Sequence, residues 1–356
     1  MNNPVGNNVG TDQEKKVEED VINEFGKVKN EDVHELVQQR IFALKRNVTV
    51  AKSPTDFLGS DVRESLIPLI QNVLRGVINL MNEGCKEFNI LDVMPGKGTQ
   101  VDWFLAQELE LTLRNSKENN LYLIESNPEF INSYKQTVKN YAHLKFVKSY
   151  NGKVKEYYQK SLDTKVDFIM CMDLCFLTDY SERSIDPQKD ITDFVKFLYG
   201  QLRPGGAIFI TYLDLESKFS QINFDYIKDT THQNNIKKIA KAREDLLYNG
   251  DIVNKLNSDG KSCPKVESHK LSTFYYAKSL AEVAVMSLDG GFVKNNKDKF
   301  EIEHLKSLIK KVKEVNEIEP QKGQKRPFGL CRAERGRDPL WRVESLQYVC
   351  IIRKEK

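Results

Sequence analysis

Chemistry in this chain starts at a glycine turn and two acids. Asp92-Val-Met-Pro-Gly-Lys-Gly98 links the apolar run Phe88–Val93 to a helix-periodic stretch, and Glu125, followed by Ser126, closes the next apolar run. Gly96 and Gly98 allow close approach of backbone to a ligand. A helix that starts there directs N–H groups at the same ligand. Glu125 can accept hydrogen bonds from both hydroxyls of a ribose. Turn and acid together point to an adenosine-containing cofactor. The dinucleotide fingerprint GxGxxG fits poorly, because Val101 stands where its third glycine belongs, and the spacing of a P-loop is missing.

The surrounding elements must hold those groups at one edge of a sheet. Strands are expected at Phe88–Val93, Asn120–Glu125, Leu144–Val147, Val166–Cys171 and Ala207–Leu213, the last after the turn Arg203-Pro-Gly-Gly206. Helices are expected at Gly98–Arg114, Pro128–Tyr141, Lys153–Ser161 and Ile191–Leu202. Alternating strands and helices, with strands apolar throughout, imply a parallel sheet covered on both faces. Helical spacing over 32–82, broken at Ser53-Pro54, predicts a helical cap before the first strand. After Leu213 the chain turns polar and lysine-rich, with helical stretches near Ile236–Leu247, Leu271–Leu288 and Phe300–Val315, and a last strand at Ser345–Ile352. The domain reading is a disordered tail over 1–30, a helical cap over 31–84, a cofactor-binding core over 85–216, a helical insertion or lid over 217–340, and the final core strand over 341–356.

Composition narrows the class. The 356 residues carry a net charge of +3, too small to imply nucleic acid or a membrane as partner. Apolar runs stay short of the ~20 residues that cross a bilayer, and 1–20 lacks the core of a signal peptide. A cytoplasmic monomer is expected. Six cysteines form no CxxC pair and the five histidines are scattered, so reduced buried thiols are expected and no metal site. The basic segment Lys322–Arg337 is broken by Glu334 and reads as a solvated loop.

Residues 87–215 resemble the class I S-adenosylmethionine-dependent methyltransferases. Ile90-Leu-Asp-Val-Met-Pro-Gly-Lys-Gly98 is similar to that family's first motif, an acid followed by GxGxG; Asp92 takes the acid position, and Met94 replaces the first glycine. Leu123-Ile-Glu-Ser126, Asp167–Asp173 and Leu202-Arg-Pro-Gly-Gly206 resemble later motifs. A narrower similarity is to histamine N-methyltransferase and its relatives, through Ile124-Glu-Ser-Asn-Pro-Glu-Phe-Ile-Asn-Ser-Tyr-Lys135, Lys155-Glu-Tyr-Tyr158 and Leu174–Tyr180. The resemblance implies a Rossmann-like α/β fold, with a seven-stranded mostly parallel sheet, an antiparallel last strand and S-adenosylmethionine as cofactor. It implies cofactor contacts from Asp92, Met94, Gly96, Gly98, Glu125, Ser126, Ser149, Asn151 and Met172.

A small-molecule amine is the implied substrate. Asp173, just past the fourth strand, would hold its ammonium or take its proton; a helix cap or surface aspartate explains the same residue. Phe176, Tyr180 and Tyr212 would wall the pocket, or else be plain core or surface. Asp61 or Glu64 stands where the family places an N-terminal acid, though capping at Ser60/Asp61 accounts for the segment equally. Two other readings stay open: a methyltransferase acting on protein or nucleic acid, and a methyltransferase-like partner protein without catalysis. The run Asp173-Leu-Cys-Phe176 lacks the Pro-Pro-aromatic motif of nucleobase and glutamine amino-methylases.

Overall fold

Strand and helix periodicities are realised in alternation. The computed structural model describes residues 12–29, 33, 36, 37, 40, 63–80, 87–95, 118–158, 161–172, 186–213, 230–257, 264–287, 301–317, 331–333 and 340–355. In chain order the elements are α1 (Asp12–Lys27), α2 (Arg63–Leu80), β1 (Glu87–Val93), β2 (Glu118–Glu125), α3 (Pro128–Val138), β3 (Lys145–Asn151), β4 (Val166–Cys171), α4 (Pro187–Gln201), β5 (Leu202–Leu213), α5 (Thr230–Arg243), α6 (Ile252–Leu256), β6 (Lys265–Ala277), α7 (Leu280–Ser287), α8 (Ile302–Glu317), β7 (Cys331–Ala333) and β8 (Leu340–Arg353). A 3-10 turn, Val154–Tyr157, follows β3, and a π-helical turn, Glu244–Tyr248, follows α5.

The strands lie in the order β3-β2-β1-β4-β5-β8-β6, and β7 pairs with the start of β8. Neighbours among β1 to β5 are parallel, and β8 runs antiparallel to β5. The parallel sheet is the one expected from the pattern, and its antiparallel β8 gives the Rossmann-like arrangement that the resemblance implies. Because partners on adjacent strands share a face, the register sorts the side chains. Asp92 pairs with Leu123 and with Met170, which in turn pairs with Phe209, so these four share one face. Val93, Ile124, Cys171, Ile210 and Tyr212 join a buried cluster on the opposite face with Ile191, Phe194 and Leu198 of α4 and Leu246 and Leu247 of the π-helical turn. Apolar cover on both faces is what makes such strands read as continuous apolar runs.

Two compact units make up the chain. Met1–Asp61, Glu216–Thr230 and Thr273–Ser345 form one; Val62–Leu215, Thr231–Ser272 and Leu346–Lys356 form the other. The chain passes from one unit to the other at Leu215/Glu216, and Thr231–Ser272 returns to the unit that holds β1 to β5. In the first unit α1, α7 and α8 pack on one another. Lys313 of α8 pairs with Glu18 of α1 at 2.7 Å, and the Trp341 indole N–H donates to Glu14 at 2.6 Å.

Three local expectations change. Residues 12–27 are helical where composition argued for a tail, because Val21 and Phe25 lie one turn apart and both are buried. The helix expected over Leu271–Leu288 is instead the end of β6 followed by α7. Ser272-Thr-Phe-Tyr-Tyr276 is aromatic and β-branched, which favours a strand. Ser279 then restarts a helix: its hydroxyl accepts from the Glu282 N–H at 3.3 Å, and Glu282 accepts from the Lys278 N–H at 2.7 Å. The helix expected over Lys153–Ser161 is only the 3-10 turn, within the described residues.

Candidate functional site

Sheet topology places the site before any side chain is considered. Strand order reverses at β1, whose neighbours are β2 and β4. In open α/β sheets ligands bind outside the carboxyl ends of the strands at this reversal. Met94 and Pro95 follow β1 there, Glu125 ends β2 with Ser126 after it, Asn151 ends β3 with Gly152 after it, and Met172 follows β4. Met94 has φ 57°, a left-handed backbone. That conformation costs a side-chain-bearing residue roughly 1–2 kcal/mol, which is why glycine is the usual choice. Two contacts hold it: the Met94 N–H donates to the Ile124 carbonyl at 2.9 Å, and its half-buried side chain packs on the sheet's apolar cluster.

Glu125 is buried, and its carboxylate is oriented by the turn it precedes. Oε1 accepts the N–H groups of Ser126 at 2.8 Å and Asn127 at 2.9 Å. Asn127 caps α3, accepting from the Glu129 N–H at 2.9 Å with Pro128 opening the helix, as the Ser126-Asn-Pro128 run predicts. Asp92 shares the face of Glu125 but looks inward. It is 1% exposed, and the Tyr134 hydroxyl of α3 donates to its Oδ2 at 3.0 Å. Burial raises its pKa from 3.8 to about 7; the Tyr134 bond works against the shift and the charge of Glu125 adds to it. Burial and Asp92 together push the Tyr134 hydroxyl well above its ordinary value. Tyr134 had no place among the sequence candidates. Its signal was a hydroxyl inside the buried stripe Ile131, Tyr134, Val138, which demands a partner.

At the end of β3, Asn151 pairs with Glu125 in the register and is exposed. Ser149 pairs with Leu123, so it sits on the same face, farther from the carboxyl edge. Gly152 donates its N–H to the Glu125 carbonyl at 3.2 Å and has φ +157°. Met172 is buried beside the Thr211 hydroxyl, 4.0 Å from its Sδ.

Tyr212 does not join these groups. It is 2% exposed, lies on the opposite face, stacks on Tyr348 at 5.2 Å between centroids and reaches the Arg243 carbonyl at 3.5 Å. The alternation of β5 turns it away from the face that carries Asp92 and Glu125, so it is core and not pocket wall. Gly96, Gly98, Asp61, Asp173, Phe176 and Tyr180 lie outside the described residues, as does the helix expected over Gly98–Arg114. Glu64 falls in the first turn of α2. Among the described residues, no group of three or more His, Cys, Asp or Glu could hold a metal ion, and no helix is long and apolar enough to cross a membrane.

No family model and no curated protein matches the chain. Solved structures do. Loganic acid methyltransferase with SAH aligns over 83% of this chain and 93% of its own, at 9% identity and a TM-score of 0.50. A Bacillus halodurans protein assigned as a methyltransferase aligns over 80% and 100%, at 10% identity and a TM-score of 0.42. The N-methyltransferase NodS from Bradyrhizobium japonicum aligns over 81% and 98%, at 10% identity and a TM-score of 0.32. The chain has the Rossmann-like methyltransferase fold.

The carboxyl edge of this fold brings together the Glu125 carboxylate, oriented by two N–H donors, the exposed Asn151 and the left-handed turn at Met94. Gly152 escaped the sequence reading, although Asn151-Gly152 after a strand is a turn signal.

Proposed function

We propose that this protein is an S-adenosylmethionine-dependent methyltransferase that methylates the nitrogen of a small-molecule amine. The observation that carries the cofactor is the juxtaposition, at one sheet edge, of the Met94 turn, the Glu125 carboxylate and Asn151. Glu125 takes the ribose hydroxyls, and its orientation by two N–H donors sets it before binding. Asn151 meets the base. When bound, S-adenosylmethionine supplies an electrophilic methyl group on a sulfonium sulfur. The chain's part is to align the amine lone pair with that methyl, exclude water and receive a proton.

Asp173 is the residue proposed to receive it. It is the next residue in sequence after Met172, which lies at the carboxyl end of β4, the strand beside β1 where the order reverses. A carboxylate there holds an ammonium and accepts the proton that the amine must lose. The amine class itself rests on the resemblance of 124–135, 155–158 and 174–180 to histamine N-methyltransferase. A partner protein without catalysis is the competing reading, and Met94 is its main support. The left-handed φ of Met94 weighs against it, because the backbone keeps the shape a glycine would give.

Calorimetric titration with S-adenosylmethionine and S-adenosylhomocysteine tests the cofactor: micromolar binding is expected, and no heat with either would sink the reading. Methyl transfer screened across biogenic amines, betaine precursors and imidazoles tests the substrate. Turnover on at least one amine is expected, slowed far more than cofactor binding by Asp173→Asn. Binding without turnover on any of them would favour the non-catalytic partner.

A further inference from the structure

Beside Asn151 stands a small, heavily tied turn that the proposed reaction does not yet use. Gly152 has φ +157°, and a Cβ on it would come within 2.7 Å of Glu156 Oε2 and 3.2 Å of the Tyr157 hydroxyl. Its N–H is spent on the Glu125 carbonyl at 3.2 Å, which joins the end of β3 to the strand of the ribose acid. On its other side, the Tyr157 hydroxyl donates to the Asn151 carbonyl at 3.1 Å. Glu156 returns to accept from the Lys153 N–H at 3.2 Å, so the turn that carries Tyr157 is itself closed. The Tyr157 ring meets Tyr150 edge-on at 5.8 Å. Tyr150 in turn donates its hydroxyl to Asp163, which Lys148 also reaches at 2.5 Å.

Asn151 is thus gripped through its backbone from both sides while its side chain stays exposed. Turns of this kind loosen at sheet edges when nothing requires them rigid. We propose that Gly152 and Tyr157 are positioning residues for the base end of the cofactor, fixing the Asn151 peptide so that its amide meets the adenine edge. The proposal rests on the S-adenosylmethionine reading above. Gly152 supplies the backbone shape and the room; Tyr157 supplies the hydrogen bond that stops the peptide from rotating. An ordered amide loses less entropy on binding, so the tie acts on affinity as well as on stability.

A double-mutant cycle read by calorimetry with S-adenosylhomocysteine tests this. Tyr157→Phe, which removes only the hydroxyl, should weaken binding about 3- to 10-fold, the weight of one hydrogen bond. Asn151→Ala should weaken it at least as much. The double variant should be no weaker than Asn151→Ala alone, because Tyr157 acts through Asn151. Gly152→Ala should reproduce the loss, since its Cβ displaces Glu156 and Tyr157. Melting temperature should fall only slightly in Tyr157→Phe, so the variant stays folded while calorimetry reads the positioning. Wild-type affinity in Tyr157→Phe, or losses that add in the double variant, would overturn the inference and leave the cofactor reading intact. A wild-type protein that binds no S-adenosylhomocysteine would overturn both.

Discussion

Asp92 and Asp167 are both buried aspartates on neighbouring strands, yet the fold treats them differently. Asp167 lies at the amino end of β4, where it accepts the Asn89 N–H at 2.8 Å and pairs with Arg203 at 3.2 Å. Around it the Asn120 amide donates to the Asn89 side chain at 3.0 Å. Its pKa is still raised, because burial outweighs both partners. Asp92, near the carboxyl end of β1, has the Tyr134 hydroxyl but no cation among the described residues, and its pKa climbs to about 7. The amino end of the sheet gives its buried acid a cation and an N–H donor. The carboxyl end keeps a buried acid poorly matched and a strained residue at Met94, as functional edges commonly do.

The widest separation between the two ends should come from ligand binding. Glu125→Ala is expected to weaken S-adenosylmethionine at least ~100-fold, since two charge-assisted bonds are lost. Asp167→Asn should leave affinity untouched. Calorimetry on both variants checks this, and equal losses would erase the distinction.

Titration gives the next contrast. A carboxyl raised in the folded state stabilises fully below its ordinary value of 3.8, and that contribution is lost as pH rises toward about 7. Asp92→Asn removes the dependence. Urea unfolding from pH 4 to 8 should therefore show the variant gaining on wild type by roughly 2–4 kcal/mol across that window and levelling above it. Parallel curves would mean that Asp92 ionises normally.

Asp167→Asn should act in the same sense but more weakly, because the Asn89 N–H and Arg203 offset part of the burial that raises this carboxyl. A variant that loses stability at neutral pH in the same unfolding experiment would show that the two partners outweigh burial.

The smallest effect isolates strain. Met94→Ala keeps the left-handed backbone and loses packing, whereas Met94→Gly loses packing and relieves φ. The glycine variant should exceed the alanine variant by about 1 kcal/mol in thermal unfolding. If alanine is the more stable of the two, the left-handed turn is not strained.

Much of this was legible in the chain. Continuous apolar runs announced β1, β2, β4 and β5 as strands covered on both faces, and Ser126-Asn-Pro128 announced the capped start of α3, because these are local consequences of burial and backbone chemistry. Glu125 at a strand end was legible for the same reason. Strand order, the opposite facing of Tyr212, the partnership of Asp92 with Tyr134 and the grip on Asn151 were not. They depend on which strands lie side by side and in what register, and a shift of one residue would reverse every face. Local sequence therefore determined the elements and the acid. Only tertiary structure decided which groups share an edge, because that is set by pairings between segments far apart in the chain.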